Sequence, residues 1–185
     1  MTQFRPGREV MVAGVGLHPF GRFSSKDLAA LALDAVVEAL KDADVRWKDV
    51  PVAYFGHVYY QGMSVGETAL AKLGLTGIPI INVENACSSG STAFWQAYWG
   101  ITTGVFDLAL AFGAEKVPRG PVTVTADESP DRYIGADHMM AGYGLRMRRY
   151  MEDTGAPPAA LAQVAVKSRQ NAALNPYAHR KQTYT

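Results

Sequence analysis

The 185-residue chain contains 48% hydrophobic and 19% charged residues, a balance typical of a globular protein with a substantial core. Its formal net charge of +1 gives no reason to expect nucleic acid or an anionic membrane as a partner. A single cysteine, Cys87, excludes a disulfide framework and a cysteine-based zinc site within the chain, and it fits a reducing compartment. Because no apolar run approaches about 18 residues and the opening residues are polar, we expect a cytoplasmic protein without a membrane span.

The first elements that the pattern predicts are a buried strand and an amphipathic helix. The run EVMVAGVGLHPF, residues 9–20, indicates a strand that enters a loop, because it is β-branched and small before its Gly and Pro. It is not a dinucleotide-binding fingerprint, since the third glycine would fall at Pro19. Ser24 or Ser25 is the expected N-cap of the helix. Its apolar positions recur at helical spacing: Leu28, Leu31, Ala32, Ala35, Val36, Ala39 and Leu40.

Three further strands are predicted in the middle of the chain. The run VAYFGHVYY, residues 52–60, is aromatic and β-branched, and DLALAFGAEKV, residues 107–117, is a second apolar strand candidate. The run IPIINVE, residues 78–84, is too apolar to alternate, which predicts a central strand covered on both faces.

Two helices separate these strands. GETALAKLGL predicts a short helix ended by Gly74 or Gly77. The segment from Cys87 to about Thr103 has apolar or small side chains nearly all round, so we expect a helix that is buried on most sides. The alternation of strand and helix predicts parallel βαβ units with right-handed crossovers.

The amino-acid composition of the sequence changes after Val117. A stretch rich in Pro, Gly and acidic residues comes first, and a helix that contains Leu145, Tyr150 and Met151 is predicted to follow it. Another helix is predicted to start at Pro157 and Pro158. Residues 118–185 are therefore interpreted as an insertion on the sheet.

Cys87 lies where the third predicted strand turns into the apolar helix. At that place the helix dipole and free backbone N–H groups favour a thiolate, which is the nucleophilic form of cysteine. The small residues Ser88, Ser89, Gly90 and Ser91 would let a substrate approach the turn closely. Serine hydrolases place their nucleophile on a similar strand–turn–helix elbow. The alternative is a buried cysteine that only packs, as most free cysteines do.

The segment VENACSSGSTAFWQAYWGITTGVFDLALAFGAEKV resembles the active-site block of the thiolase superfamily, in particular the sterol-carrier-protein x, or lipid-transfer, type. The resemblance implies an α/β, thiolase-like first half: a mixed, largely parallel sheet with a buried nucleophile helix, plus a helical loop domain. It assigns the core to residues 1–117 and an incomplete loop domain to residues 118–185. Cys87 falls on the cysteine that attacks an acyl-CoA thioester. VGLHPFGRF resembles the family's first strand and R-T-P-F-G loop, with Leu17 and His18 in place of Arg-Thr.

The resemblance also names substrate-binding residues after the acidic stretch. ADHMMAGYGLRMRRYMEDTG resembles the start of the loop domain that lies over the pantetheine arm, and His138 and Met139 fall on its His-Met pair. Guanidinium groups pair well with phosphate, and the basic residues that could meet the phosphates of coenzyme A are Arg146, Arg148 and Arg149, with Lys167 and Arg169 nearby. Of these, Arg146 and Arg149 are the predicted substrate-binding residues. The alternative for these arginines is a solvated helix face.

The family's second half has no counterpart in this sequence. Thiolases are about twice as long, and their second half supplies an activating histidine in a Gly-His-Pro turn and usually a second cysteine. We therefore expect this chain to be a first half that a C-terminal thiolase half completes, in cis or in trans, and to be inactive alone. His18 and His57 are interpreted as structural histidines, so the base that activates Cys87 is expected from outside the sequence.

The function that follows from the resemblance is acyl transfer through a cysteine acyl-enzyme, on a β-ketoacyl-CoA of fatty-acyl or steroid side-chain type. One alternative is a thiolase-fold aldolase that acts on steroid side-chain CoA esters, and another is a non-catalytic assembly subunit. Coenzyme A is expected as a substrate, with no resident cofactor and with a homodimer or higher oligomer as the assembly. No metal is expected, because the acidic residues of the loop are spaced irregularly and fit solvation better than a calcium loop: Asp127, Glu128, Asp131 and Asp137.

Overall fold

The computed structural model describes residues 7–59, 62–117, 119–122 and 130–185, and it divides the chain into two units. The first unit, Met1–Val117, contains a β sheet with helices, and the second, Pro118–Thr185, is helical in its described residues. The elements of the first unit are, in chain order, α1 (Leu28–Asp42), β1 (Ala53–Gly56), α2 (Val65–Leu70), β2 (Ile80–Val83), α3 (Ser89–Thr102) and β3 (Leu110–Gly113). Short 3₁₀ turns lie at Trp47–Asp49, Ala71–Leu73 and Ala86–Ser88.

The described strands form a parallel sheet in the order β2-β1-β3. Ala53 of β1 is in register with Ile80 on one side and with Leu110 on the other. All four residues of β1 are buried, whereas Asn82 of β2 is exposed. The prediction of parallel βαβ units is therefore confirmed, but the prediction that β2 is the central strand is wrong within the described sheet. The apolar run of β2 reflects side-chain packing on the two faces of the sheet. It does not indicate how many strands pair with β2 through backbone hydrogen bonds.

The side chains of β1 alternate between two helical layers, as strand geometry requires. Ala53 belongs to a core cluster with Val36 of α1 and Leu70 of α2. Tyr54 points to the other layer, where it packs with Ala93 of α3, and burial raises the pKa of its phenol. The helices α1 and α2 therefore cover one face of the sheet and α3 covers the other. This three-layer arrangement of helix, sheet and helix places the turn before α3 at the carboxyl end of the sheet.

Helix α1 forms as the apolar spacing predicts, but its N-cap differs. The Asp27 carboxylate accepts a hydrogen bond from the Ala30 N–H at 2.6 Å, and this bond holds the pKa of Asp27 below its usual value. Ser24 and Ser25, the predicted caps, lie before this point. Aspartate caps a helix as well as serine does, and Asp27 directly precedes the first buried residue, Leu28.

The strand predicted over residues 9–20 is not present, which corrects the sequence interpretation. This segment lies along α1 instead. The N–H groups of Val15 and Leu17 donate to the carboxylates of Asp42 and Glu38 at 2.8 and 2.7 Å. These acidic side chains accept the hydrogen bonds that the backbone carbonyls of a neighbouring strand would accept in a sheet. Gly16 fits against the helix backbone, since a Cβ there would clash with the Ala35 carbonyl oxygen. A β-branched run favours extended backbone but does not guarantee a strand partner.

Helix α3 is buried on one side and exposed on the other in the described structure. Ala93 and Ala97 pack against the sheet, while Trp95 is 57% exposed and Phe94 is 56% exposed. The prediction of burial on most sides is therefore wrong for this chain, because the described residues cover only the small-residue face. The helix also starts two residues later than Cys87, which lies in the preceding 3₁₀ turn.

The second unit contains α4 (Pro130–Tyr133), α5 (Met139–Thr154) and α6 (Pro158–Leu174). Gly155, with a φ of 70°, ends α5, and Pro157 is the N-cap of α6. The two predicted helices are thus confirmed, whereas α4 was not predicted. The identification of this unit as a loop-domain insertion stays a prediction. Among the helices that the structure describes, none has the length and apolar character needed to span a membrane.

Candidate active site

The turn that carries Cys87 is a sharp reversal between β2 and α3. After Val83, the last residue of β2, the chain passes Glu84 and Asn85 and enters the 3₁₀ turn Ala86–Ser88. Ala86 has a φ of 46°, a left-handed conformation that costs a non-glycine residue on the order of 1–3 kcal/mol. Such backbone strain persists only where the surroundings enforce it, and it is a feature of nucleophile elbows.

Hydrogen bonds from both sides hold this turn. The Ser89 hydroxyl accepts from the Asn85 N–H at 2.8 Å and donates to the Ala86 carbonyl at 2.8 Å. The Ala86 N–H donates to the Glu84 carboxylate at 2.6 Å, and the Asn85 amide donates to the Thr92 hydroxyl at 2.9 Å. Because these bonds link the two ends of the turn, the backbone around Cys87 has one defined course.

Cys87 is exposed and lines a cleft of about 260 Å³. The thiol is therefore not packed in the core. The cleft lies at the carboxyl ends of the three described strands, the place where parallel α/β sheets bind ligands. Its lining residues are Gly56, His57, Val58, Ala86, Cys87, Ser89, Gly90, Gly113, Ala114 and Glu115.

Glycines at the strand ends allow the cleft to form. A Cβ on Gly56 would stand 2.7 Å from the carbonyl of Ser89, and a Cβ on Gly113 would stand 3.0 Å from the carbonyl oxygen of Gly56. Gly90 differs, because a Cβ there would meet nothing within 4 Å. Two glycines thus bring the strand ends and α3 together, and the third leaves open space beside the cysteine turn.

Glu115 is a cleft residue that sequence reasoning missed. Its carboxylate accepts hydrogen bonds from the N–H groups of Val58 and Tyr59 at 2.7 and 2.8 Å, and from the Lys116 N–H at 2.9 Å. It therefore fastens the chain after β1 to the chain after β3. Glu115 lies two residues after Gly113, the last residue of β3, but inside the strand predicted over residues 107–117, so the predicted strand did not mark it.

His57 also lines the cleft, although the sequence interpretation made it structural. Its ring stacks on Phe55 with the centroids 5.4 Å apart and an interplanar angle of 19°. Its Nδ1 is buried and has no hydrogen-bond partner among the residues that the structure describes. His57 directly follows the last residue of β1, whereas the strand predicted over residues 52–60 placed it in the interior of a strand.

The predicted substrate-binding residues lie in the second unit, whereas Cys87 lies in the first. His138 is the N-cap of α5, and its Nδ1 accepts from the Ala141 N–H at 3.3 Å. Met139 is the first residue of α5. The Arg146 guanidinium lies 5.1 Å from the centroid of the Tyr143 ring, and that of Arg149 donates to Asp153 at 2.8 Å.

Helix geometry places two of these residues on one side of α5. Met139 and Arg146 are seven residues apart and share a face, and Arg149 is three residues further along on an adjoining position. Arg148 lies on the opposite face. The arginines are exposed, so their head groups are accessible to a ligand.

In the described ranges, no group of three or more His, Cys, Asp or Glu side chains is placed to hold a metal ion. Of the acidic residues that the sequence suggested for solvation, Asp127 and Glu128 lie outside the described residues.

Comparison with curated proteins identifies relatives along nearly the whole chain. Residues 10–183 match the family described as Thiolase, N-terminal domain. The chain is 40% identical over 178 residues to the benzoylsuccinyl-CoA thiolase subunit BbsB of Thauera aromatica, with 92% of this chain and 45% of that protein covered. It is 34% identical over 193 residues to sterol carrier protein 2 of Bos taurus, covering 95% of this chain and 35% of that protein. The chain thus spans less than half the length of these relatives.

Solved structures show the same fold. The Ltp2-ChsH2(DUF35) aldolase superposes with a TM-score of 0.72 at 24% identity, over 89% of this chain and 44% of that chain. The Acat5 thiolase from Ascaris suum in complex with coenzyme A gives a TM-score of 0.66 at 19% identity, over 86% of this chain and 47% of that chain. The resemblance found in the sequence is confirmed: the chain belongs to the thiolase family, as an N-terminal thiolase domain with sterol carrier protein 2 among its relatives.

Proposed function

We propose that this chain is the N-terminal half of a thiolase-type acyl-CoA acyltransferase in which Cys87 carries the acyl group. The observation that supports this most directly is the exposed Cys87 thiol in a cleft at the carboxyl ends of the described strands. The strained Ala86 and the hydrogen bonds of Ser89 give that thiol a fixed position at the head of α3. The family membership supports the same chemistry at a coarse level.

The proposed reaction has two transfers. The Cys87 thiolate attacks the β-keto carbon of a β-ketoacyl-CoA, a carbon–sulfur bond forms, and the bond between the α and β carbons breaks. The electron pair stays on the α carbon, which takes a proton and leaves as the shorter CoA ester. The thiol of a second coenzyme A then attacks the acyl-enzyme, which releases the new acyl-CoA and regenerates Cys87. The N–H of Cys87, together with that of a glycine from the second half, would bind the oxyanion of each step.

The completed enzyme, meaning this chain together with a C-terminal thiolase half, is the proposed active species. The second half would supply the base that activates Cys87 and the acid that protonates the leaving carbanion. This chain matches 45% of the benzoylsuccinyl-CoA thiolase subunit BbsB, so in that relative further residues of the same polypeptide accompany the matched part, and its name as a subunit supports assembly with another chain. A homodimer or higher oligomer is the proposed assembly.

The proposed substrate is a β-ketoacyl-CoA of fatty-acyl or steroid side-chain type, with coenzyme A as co-substrate. Gly90 leaves open space beside the cysteine turn, which supports the close approach of a bulky thioester. Met139 and Arg146 on one face of α5, with Arg149 beside them and His138 at the N-cap, are the proposed contacts for the acyl-CoA.

The experiment is acyl transfer by the completed enzyme with and without Cys87. We expect a β-ketoacyl-CoA to add the mass of its acyl group to the wild-type chain, and we expect Cys87→Ala to show no adduct. Turnover by Cys87→Ala should fall by at least about a thousandfold. Ser91→Ala, an exposed change in the same stretch, is the matched control and should retain both activities.

The other functions considered from the sequence give different results in that experiment. Carbon–carbon cleavage that survives Cys87→Ala without an adduct would contradict the proposal and favour an aldolase. A folded, assembled protein with neither an adduct nor turnover would favour a non-catalytic assembly subunit.

A further inference from the structure

We propose that His57 is a further catalytic residue of this site, and that its ring hydrogen-bonds a carbonyl oxygen of the β-ketoacyl thioester bound beside Cys87. The inference rests on the proposed function and deepens it. It starts from the position of His57, which lines the same cleft as Cys87.

The backbone of His57 is held from two directions. Its N–H donates to the Val83 carbonyl at 3.2 Å, which ties it to the end of β2. The next two N–H groups, those of Val58 and Tyr59, donate to Glu115 after β3. The residue therefore stands between the ends of two neighbouring strands, where its Cα position is fixed by the sheet.

The ring of His57 is positioned as well. It stacks on Phe55, which is fully buried, at a centroid distance of 5.4 Å. A histidine that stabilised only the fold would also use its ring nitrogens, because buried polar atoms normally find a hydrogen-bond partner. In the described part of the chain, the buried Nδ1 of His57 has none.

The other polar side chains of the cleft are already engaged by the fold. The Ser89 hydroxyl makes two hydrogen bonds within the cysteine turn, and the Glu115 carboxylate accepts three from backbone N–H groups. Cys87 and His57 are the polar lining side chains for which the described structure provides no hydrogen bond. One is the proposed nucleophile, and the other has the groups needed to bind an oxygen.

His18, the other histidine of the first unit, has a structural role and provides a comparison for the hydrogen bonding of His57. Its Nδ1 lies 2.7 Å from the Pro19 carbonyl oxygen and its Nε2 lies 3.0 Å from the Lys26 Nζ. Both of its ring nitrogens are used within the fold. The contrast with His57 supports a ligand as the partner of the His57 ring.

The chemistry of the proposed substrate fits this group. A β-ketoacyl thioester presents two carbonyl oxygens close together, and a neutral imidazole offers one N–H donor. A donor directed at one of these oxygens would orient the carbon that Cys87 attacks and would stabilise charge that develops on the oxygen.

The test compares three variants of the completed enzyme. His57→Phe keeps a ring that can stack on Phe55 but removes both nitrogens. Because Nδ1 is enclosed, the nitrogen that would meet the substrate is Nε2, and His57→Gln restores an amide near that position. His179→Phe, an exposed histidine of the second unit, is the matched control. Acylation of Cys87 by a β-ketoacyl-CoA is followed by intact-protein mass, and alkylation of Cys87 by iodoacetamide is measured beside it.

We expect His57→Phe to slow acylation by about 10- to 100-fold, with His57→Gln within about threefold of wild type. Alkylation by iodoacetamide, which has no β-ketoacyl group, should change less than about twofold in every variant. Unchanged acylation in His57→Phe, or equal losses of acylation and alkylation, would overturn the inference. If His57→Phe does not fold, His57→Leu takes its place. A wild-type enzyme that is not acylated at Cys87 would instead refute the proposed function, and the inference with it.

Discussion

The backbone of Gly56, at the end of β1, lies directly against that of Ser89, the first residue of α3. A Cβ on Gly56 would stand 2.7 Å from both the carbonyl carbon and the carbonyl oxygen of Ser89. Because Ser89 also holds the turn around Cys87, the distance between β1 and the cysteine turn depends on the absence of a side chain at residue 56.

Gly56→Ala should therefore destabilise the protein. The added methyl group meets backbone atoms that cannot rotate away, and overpacking of this kind costs about 1–3 kcal/mol. The measurement is the free energy of unfolding of the completed enzyme in urea. Gly90→Ala is the stability control: its Cβ meets nothing, and alanine in a helix is favoured by about 0.5–1 kcal/mol over glycine. Equal stability of the two variants would contradict the close contact.

Ser89→Ala should loosen the cysteine turn. Ser89 is only 3% exposed, and the change removes a hydroxyl that joins the Asn85 N–H to the Ala86 carbonyl. The Asn85 N–H then lacks its acceptor, which costs roughly 1–3 kcal/mol, whereas the Ala86 carbonyl keeps the hydrogen bond from the Ser89 N–H. We expect lower stability together with slower acylation of Cys87, measured by intact-protein mass. Ser91→Ala should change neither quantity, and a stable, fully active Ser89→Ala would refute the role of this hydroxyl.

Glu115→Ala should release the chain that follows β1. Two backbone N–H groups lose a charged acceptor, and hydrogen bonds to charged groups are worth about 1.5–3 kcal/mol. Faster hydrogen exchange at the amides of Val58 and Tyr59 is the expected result. Glu115→Gln retains an oxygen acceptor and should show much smaller increases. Exchange at these amides that is insensitive to both changes would contradict the contact.

Local sequence patterns predict the elements of this fold well. The apolar spacing from Leu28 onward gives α1, and Gly74 ends the short helical stretch that starts at Val65. The position of Cys87 between a strand and a helix was also correct, because short-range signals decide it. The family likewise followed from the motif around Cys87.

The wrong predictions concern contacts between residues that are far apart in the sequence. The apolar character of β2 does not reveal that β1 lies between β2 and β3, since side-chain burial on two faces is separate from pairing at two edges. Residues 9–20 meet acidic side chains of α1 rather than a strand. His57 and Glu115 are 58 positions apart in the chain and meet at one cleft only because the sheet places their strands side by side. The sequence alone does not encode that order in any local signal.

Asp34→Asn should lower stability in a pH-dependent way. The Lys26 ammonium donates to Asp34 at 2.5 Å, and this hydrogen bond holds the pKa of the carboxyl below its usual value. The stabilisation is therefore present above the unfolded pKa of about 3.9 and is lost as the pH falls through the lower folded value. The pair is half-exposed, so we expect roughly 0.2–1 kcal/mol at neutral pH and low salt.

The check for Asp34 is the difference in urea midpoint between wild type and Asp34→Asn. This difference should be measurable at pH 7, should shrink in high salt, and should close at acidic pH, where the wild-type carboxyl is protonated. A difference that stays constant from pH 7 into the acidic range would contradict the ion pair as its source.

The arginines of α5 provide a test of coenzyme A binding. Arg146 shares a helix face with Met139, and Arg149 adjoins it, while Arg148 lies opposite. If this face meets the phosphates, Arg146→Gln and Arg149→Gln should each raise the KM for an acyl-CoA by about 3- to 10-fold with little change in kcat. The effect should diminish as the salt concentration rises, because the contact is electrostatic and exposed.

Arg148→Gln is the matched control, since it removes the same charge from the same helix and alters only the face. Its KM should stay within about twofold of wild type. Equal increases in all three variants would instead point to a general effect of positive charge, and no increase in any of them would support a solvated helix face. The Arg149–Asp153 ion pair adds an internal check, because Asp153→Asn leaves the guanidinium in place and frees it from its carboxylate. A phosphate contact through Arg149 predicts a lower KM in Asp153→Asn, whereas a purely structural ion pair predicts lost helix stability without any change in KM.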